Sequence, residues 1–107
     1  MHLEMALEFC EWAQSWLQQQ RHPGRHTIMY TGHSLGAAVA ACCAYMLSGE
    51  AVVFDSPGER RLLERMGYTD FSPARCRDIV AYVAEPNVVN TLLPTVAGTV
   101  VQARLWE

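Results

Sequence analysis

The sequence predicts a single α/β domain in which helices flank a short parallel sheet. Two observations indicate this class: helix-like periodic segments alternate with short apolar runs, and breakers rich in glycine and proline separate them. The chain has 107 residues, of which 50% are hydrophobic and 18% are charged, so it can form one core. We therefore expect residues 1–107 to form one domain.

The first predicted element is an amphipathic helix over residues 2–20, since apolar residues recur there at helical spacing. Its other side is acidic and rich in glutamine, which favours packing against the sheet over contact with a lipid surface. The breaker cluster Arg21-His22-Pro23-Gly24 would end this helix. Its apolar face consists of Leu3, Ala6, Leu7, Cys10, Ala13, Trp16 and Leu17.

The rest of the chain alternates between strand and helix patterns. Gly49 and Gly67 are natural C-terminal stops for the two helices. The continuous apolar run over 51–54 is typical of a strand buried on both faces. The predicted order is strand 27–31, helix 35–48, strand 51–54, helix 59–66 and strand 79–84, with residues 99–105 as a candidate further strand.

Gly32-His33-Ser34-Leu35-Gly36 is the most informative motif, because G-x-S-x-G between a strand and a helix predicts a nucleophile elbow. The turn would hold Ser34 in a strained backbone conformation with its hydroxyl exposed. The two glycines would let strand and helix pack closely. The N–H of Leu35 would then stabilise an oxyanion. The alternative, that Ser34 merely caps the helix, explains neither glycine.

The charged residues argue against one other class of function. The net charge is −3 and all eight basic residues are arginines, so binding of nucleic acid is not expected. Arg60, Arg61, Arg65, Arg75 and Arg77 are interleaved with Glu59, Glu64 and Asp78, which predicts a mixed, solvated surface.

The four cysteines predict buried free thiols rather than disulfides or a metal site. Cys42 and Cys43 are adjacent within a predicted helix, and no C-x-x-C pair occurs with Cys10 or Cys76. No signal peptide or membrane-spanning run is visible, which favours a cytoplasmic location. No metal or other cofactor is expected.

Two more stretches follow the elbow: Val53-Phe54-Asp55-Ser56-Pro57-Gly58, and Tyr82-Val83-Ala84-Glu85-Pro86-Asn87-Val88-Val89-Asn90. With these three stretches, the chain resembles the class 3 (fungal-type) lipases. That resemblance implies an α/β-hydrolase fold and hydrolysis of acylglycerols and related lipid esters through an acyl-serine. It covers most of residues 3–90 and corresponds to the middle of such a domain.

In the family a histidine activates the serine, and an aspartate after a later strand orients that histidine. At the acid position this chain has Asn87, which could orient an imidazole without supplying charge. Asp55 follows the strand after the elbow helix. Asp78 precedes the next strand, so we expect it at the end of the sheet opposite Ser34. For each of these three residues a turn or cap role is the competing interpretation.

The histidines do not fit the family order, because none of them follows the elbow in the sequence. They are His2, His22, His26 and, within the elbow itself, His33. We expect His33 to be a structural or rim residue, since the turn should direct its ring away from the hydroxyl. The upstream strands and the second oxyanion donor of the family are also missing. The chain is therefore expected to be a partial α/β-hydrolase domain with sheet edges exposed to pairing, or a catalytically inactive relative with a binding role.

Overall fold

The computed structural model describes residues 3–20, 28–84 and 94–102. Within them, four strands form one sheet in which they lie side by side in chain order, and each neighbouring pair is parallel. The α/β class with a short parallel sheet is therefore confirmed. The elements are α1 (Leu3–Gln18), β1 (Met29–His33), α2 (Leu35–Leu47), β2 (Glu50–Phe54), α3 (Arg60–Arg65), α4 (Pro73–Cys76), β3 (Ile79–Val83) and β4 (Thr99–Gln102).

The structure contains the candidate last strand and adds one short helix to the predicted order. The candidate strand over residues 99–105 is present as β4, of which the structure describes Thr99–Gln102. The short helix α4 was not predicted, although its start carries a local signal. Ser72 caps it by accepting a hydrogen bond from the Arg75 N–H, and Pro73 is its first residue.

The sheet buries one face, so the prediction that β2 is covered on both sides is wrong. Within the predicted strand, Ala51 and Val53 are buried, whereas on the opposite face Val52 is only half-buried and Phe54 is exposed. Tyr30, on β1, is buried on the same side as Ala51, its partner in register. Helix α2 packs on this face. Continuous apolar sequence therefore does not report burial here, because among the described residues the opposite face of β1 and β2 lacks comparable cover.

Helix α2 is the centre of the core, and its small side chains let it lie close to the sheet. It carries no charged residue, and its alanines and cysteines pack against Val53, Ile79 and Leu63. The buried residues of α2 are Ala37, Ala38, Ala40, Ala41, Cys42, Cys43, Ala44 and Tyr45. Interiors of this kind are close-packed, so a helix of small residues sets a short distance between helix and sheet.

The cysteines are free, as the sequence predicts, and three of them are buried. Burial raises the pKa of the Cys42 thiol to about 12, and that of Cys43 also to about 12. Cys10 on α1 is half-buried beside Cys43 and contributes to this shift. The thiols therefore behave as small apolar groups at neutral pH.

Helix α2 ends differently from the prediction. Its C-cap is Ser48, which adopts the left-handed conformation (φ 55°, ψ 41°), while the Gly49 N–H donates to the Ala44 carbonyl at 2.8 Å. Gly49 is required for space instead, because a Cβ there would lie 2.8 Å from the Tyr30 ring. Gly67, in contrast, closes α3 with a positive φ of 97°, as expected.

Helix α1 packs on α2 with part of its predicted apolar face. Leu3 is buried, and Ala6 and Cys10 contact the core. Trp16 was assigned to this face but is half-exposed. Periodicity alone could not assign Trp16 to one face, because the helix carries a second apolar stripe. That stripe is exposed and consists of Met5, Phe9, Trp12 and Trp16.

The region predicted as a solvated charged surface contains a buried carboxylate. Glu59 is 2% exposed and accepts three hydrogen bonds, from the Ser56 hydroxyl (2.8 Å), the Thr95 hydroxyl (2.6 Å) and the Val96 N–H (2.8 Å). These bonds tie the turn after β2 to the segment that enters β4. The prediction is therefore wrong for Glu59, because burial depends on partners distant in sequence.

Two of the arginines in this region also pack rather than extend into water. The Arg75 guanidinium lies 4.5 Å from the centre of the Tyr45 ring and donates to the Tyr45 carbonyl and the Ser48 hydroxyl. Arg60 lies over Phe71 at 4.6 Å. Such cation–π contacts stabilise the docking of α3 and α4 against the end of α2.

Replacing Glu59 is expected to destabilise the fold strongly. Glu59→Ala removes the acceptor of three donors, of which the Val96 N–H is buried, so the free energy of unfolding should fall by about 3 kcal/mol. Urea denaturation followed by circular dichroism measures this. Glu64→Ala, on the exposed side of α3, is the control and should change stability by less than about 0.5 kcal/mol. Equal effects of the two variants would contradict the role of Glu59.

Alkaline pH is expected to weaken the fold. The thiol pKa values rise from an ordinary 9.0 to about 12 on folding, so between these values the folded chain keeps protons that the unfolded chain has lost. The free energy of unfolding should therefore decrease as pH rises through this range. Urea titrations at several pH values test this. In the Cys42→Ala, Cys43→Ala double variant the decrease should be shallower, and an unchanged slope would contradict the explanation.

Candidate active site

Ser34 occupies the turn between the end of β1 and the start of α2, and its backbone is strained. Its φ of 57° and ψ of −120° lie in a region that non-glycine residues avoid. The Ser34 N–H donates to the Phe54 carbonyl at 2.9 Å, which joins the turn to the end of β2. Its side chain makes no capping bond to α2, so the capping interpretation is contradicted. A strained serine held by its surroundings is thus present where the motif predicts one.

Gly32 is required by the close approach of β1 to α2. A Cβ at this position would lie 2.3 Å from the Gly36 carbonyl oxygen and 2.8 Å from the Ala37 nitrogen. Both are backbone atoms and cannot move aside. Gly36 is different, because a Cβ there would meet nothing within 4 Å. The expectation that both glycines serve close packing therefore holds for Gly32 and is wrong for Gly36.

Leu35 is the first residue of α2, and its N–H lies at the positive end of the helix dipole. The N–H groups of Ala37 and Ala38 donate to the Ser34 carbonyl at 3.0 and 3.3 Å. The N–H groups that precede them have no acceptor within the helix, as at any helix start. This is the position from which a backbone donor can stabilise a negative oxygen next to Ser34.

His33 and Asp55 come together at the same edge of the sheet. The His33 Nε2 lies 3.5 Å from the Asp55 Oδ2, and the His33 side chain is 73% exposed. Asp55 also accepts a hydrogen bond from the Ala84 N–H at 3.0 Å through Oδ1. We did not predict this pairing. The signal for it was the position of both residues at the carboxyl ends of neighbouring parallel strands.

The other candidate residues are not gathered here. Asp78 precedes β3, and its carbonyl accepts from the Ala51 N–H, which places it at the opposite edge of the sheet from Ser34. Its carboxylate pairs with the neighbouring Arg77 at 3.3 Å. Asn87, the candidate at the acid position, lies outside the described residues, as do His2, His22 and His26.

An apolar groove of about 320 Å³ begins at the elbow and runs between α1 and α2 along β1. Gly36 forms part of its wall, which explains the open space around that residue. The groove contains few polar atoms and suits a hydrocarbon group. Its lining comprises Ala6, Phe9, Cys10, Tyr30, Thr31, Gly36, Val39, Ala40 and Cys43.

Metal-ligand clusters and membrane-spanning helices are both absent from the described ranges 3–20, 28–84 and 94–102. No three histidine, cysteine, aspartate or glutamate side chains lie together there as metal ligands would. None of the helices in these ranges has the length and apolarity needed to span a membrane.

A parallel sheet with a strained serine between a strand and the following helix is the arrangement of the α/β-hydrolase class. Comparison with protein families agrees with this class: the model of the family described as lipase (class 3) matches residues 5–98. The chain belongs to the class 3 lipase family. No curated protein and no solved structure matches the chain.

The two elbow glycines should respond differently to alanine. Gly32→Ala forces a Cβ against backbone atoms 2.3 Å away and should lower the free energy of unfolding by about 3 kcal/mol or more. Gly36→Ala has open space and a helical backbone, so it should be neutral or stabilising by up to about 1 kcal/mol. Urea denaturation of both variants measures the difference. A tolerated Gly32→Ala would contradict the close approach.

Proposed function

We propose that this chain carries the nucleophile of a lipase-like serine ester hydrolase, with Ser34 as the attacking residue. The observation that supports this most directly is the strained backbone of Ser34 at the N-terminus of α2. Strain of this kind costs about 1–3 kcal/mol and persists at functional sites. Membership of the class 3 lipase family supports the same chemistry.

In the proposed reaction, Ser34 Oγ attacks the carbonyl carbon of an ester while a base takes its proton. The Leu35 N–H donates to the oxygen of the tetrahedral intermediate. The C–O bond to the alcohol then breaks, and the alcohol leaves with the proton. Water attacks the acyl-serine in the same way and releases the fatty acid. Lipid esters are the proposed substrates, because the apolar groove at Gly36 could hold their hydrocarbon part.

The acid and the base of the proposed reaction have less support than the nucleophile. Among the three candidate acids, Asp55 has its carboxylate at the Ser34 edge of the sheet, whereas Asp78 lies at the other edge and Asn87 is outside the described residues. None of the four histidines follows Ser34 in the sequence. We retain His33 as a rim residue, since its ring is mostly exposed and paired with Asp55.

The competing proposal is a catalytically inactive α/β-hydrolase-like module that binds a lipid or a protein. The order of the histidines favours it, because an unassisted serine hydroxyl is a poor nucleophile. The two proposals differ in one property. A true nucleophile turn should react once a base is supplied, whereas an inactive module should not.

A fluorophosphonate probe with added imidazole tests the reactivity of Ser34. Labelling should be slow in buffer alone and should rise at least about tenfold with imidazole, which supplies a proton acceptor. Ser34→Ala should abolish the labelling, as mass spectrometry of the modified peptide would show. Ser48→Ala is the matched control, because Ser48 also has a positive φ but lies at the C-terminal end of α2.

The outcomes separate the alternatives. Labelling of Ser34 that depends on imidazole supports the hydrolase. A folded chain that remains unlabelled at Ser34 in both conditions overturns it and supports the inactive module. Labelling that survives Ser34→Ala would show that another nucleophile had reacted.

A further inference from the structure

Asp55 occupies an unusual position at the edge of the sheet that carries Ser34. It directly follows β2, which lies between β1 and β3, and its backbone is left-handed, with a φ of 52°. Its N–H donates to the Tyr82 carbonyl on β3 at 2.8 Å. The carbonyl of the preceding residue, Phe54, accepts from the Ser34 N–H. The backbone of these two residues therefore joins the ends of all three strands.

The carboxylate of Asp55 continues this connection through both of its oxygens. Oδ1 accepts from the Ala84 N–H just beyond β3, at 3.0 Å, and Oδ2 lies 3.5 Å from the Nε2 of His33 at the end of β1. The Asp55 side chain is only 25% exposed. A hydrogen bond to a charged acceptor that is partly shielded from water is stronger than one between neutral groups.

The residue type suits the backbone as well as the contacts. Aspartate and asparagine tolerate the left-handed region better than other non-glycine residues, although glycine would adopt it at no cost. Asp55 thus accepts some strain and supplies a carboxylate that glycine would lack. An aspartate in place of glycine at this strained position is explained if its carboxylate is needed at this edge of the sheet.

We propose that Asp55 is a positioning residue that holds the strained Ser34 turn by joining the ends of β1 and β3, and that it is not the acid of the reaction. The inference rests on the proposed function of Ser34. A serine at φ 57° and ψ −120° keeps its conformation only if the neighbouring backbone is fixed. Asp55 fixes it from the adjacent strand, through Ala84 on one side and His33 on the other.

Three substitutions separate the contributions of Asp55. Asp55→Asn keeps an oxygen for the Ala84 N–H and tolerance of the left-handed backbone. Asp55→Gly keeps the backbone and removes the side chain. Asp55→Ala removes both the side-chain oxygen and the tolerance of the left-handed backbone. Asp78→Asn is the matched control, because Asp78 lies at the opposite edge of the sheet.

The first measurement is fluorophosphonate labelling of Ser34 in the presence of imidazole, separated into the maximal rate and the half-saturating probe concentration. Asp55→Gly should lower the maximal rate at least about tenfold with little change in half-saturation, as expected on losing one hydrogen bond to a charged group. Asp55→Asn should stay within about threefold of the original chain. Asp78→Asn should match the original chain.

Other roles for Asp55 predict different orders of labelling rate among its three variants. If Asp55 were the acid, its negative charge would stabilise the imidazolium that forms when added imidazole takes the Ser34 proton, so Asp55→Asn would label at least about tenfold more slowly than the original chain. Such a loss would overturn the proposal. If Asp55 contributed to stability alone, Asp55→Gly would relieve the backbone strain and have a higher denaturation midpoint than Asp55→Ala. The labelling rates of the two variants would then follow their midpoints, and that result would overturn the proposal. Asp55→Gly that labels like the original chain would also overturn the proposal.

Amide hydrogen exchange gives a second readout that does not depend on reactivity. Exchange of the Ala84 N–H should be at least about tenfold faster in Asp55→Gly, and Asp55→Asn should restore its protection, since an amide oxygen can accept the same bond. If the original chain is not labelled at Ser34, the proposed function fails, and this exchange still decides whether Asp55 holds the edge. Unchanged exchange in Asp55→Gly would contradict the positioning role.

Discussion

The close approach of Gly32 to the first turn of α2 is the constraint on which the rest of the structure depends. No side chain fits between the end of β1 and the Gly36 carbonyl, so strand and helix are joined through Ser34 alone. That single residue has to reverse the chain direction and therefore adopts a strained backbone. The small residues of α2 then lie directly on the buried face of the sheet. The tight turn and the close-packed core are thus consequences of the same spacing.

Parallel pairing explains why the chemically important groups share one edge. The register places His33 opposite Phe54, and Phe54 opposite Tyr82, so the carboxyl ends of β1, β2 and β3 are level. The residues that follow these ends are consequently neighbours in space, although they are distant in sequence. In open α/β sheets ligands bind at this edge. The paired contact between His33 and Asp55 is one result of that arrangement.

The buried Glu59 shows how the last described strand is attached to the core. A carboxylate is costly to bury unless its oxygens are bonded, and three donors from two separate segments satisfy it here. The Arg60 N–H adds a bond to the Pro94 carbonyl at 3.1 Å. These polar bonds and the buried Val96 therefore position the approach to β4, whose own Val100 remains exposed.

The amino-acid sequence by itself determined the α/β class, the order of its main elements, the strained turn at Ser34 and the helix stop at Gly67. These features follow from local periodicity and from the backbone preferences of single residues. Only the tertiary structure decided that β2 is buried on one face, that Glu59 is buried and that Asp55 faces His33. Each of these depends on which distant segments are brought into register, and a local pattern carries no information about such partners. Even within the elbow motif, packing alone distinguishes Gly32, which has no room for a side chain, from Gly36, which does.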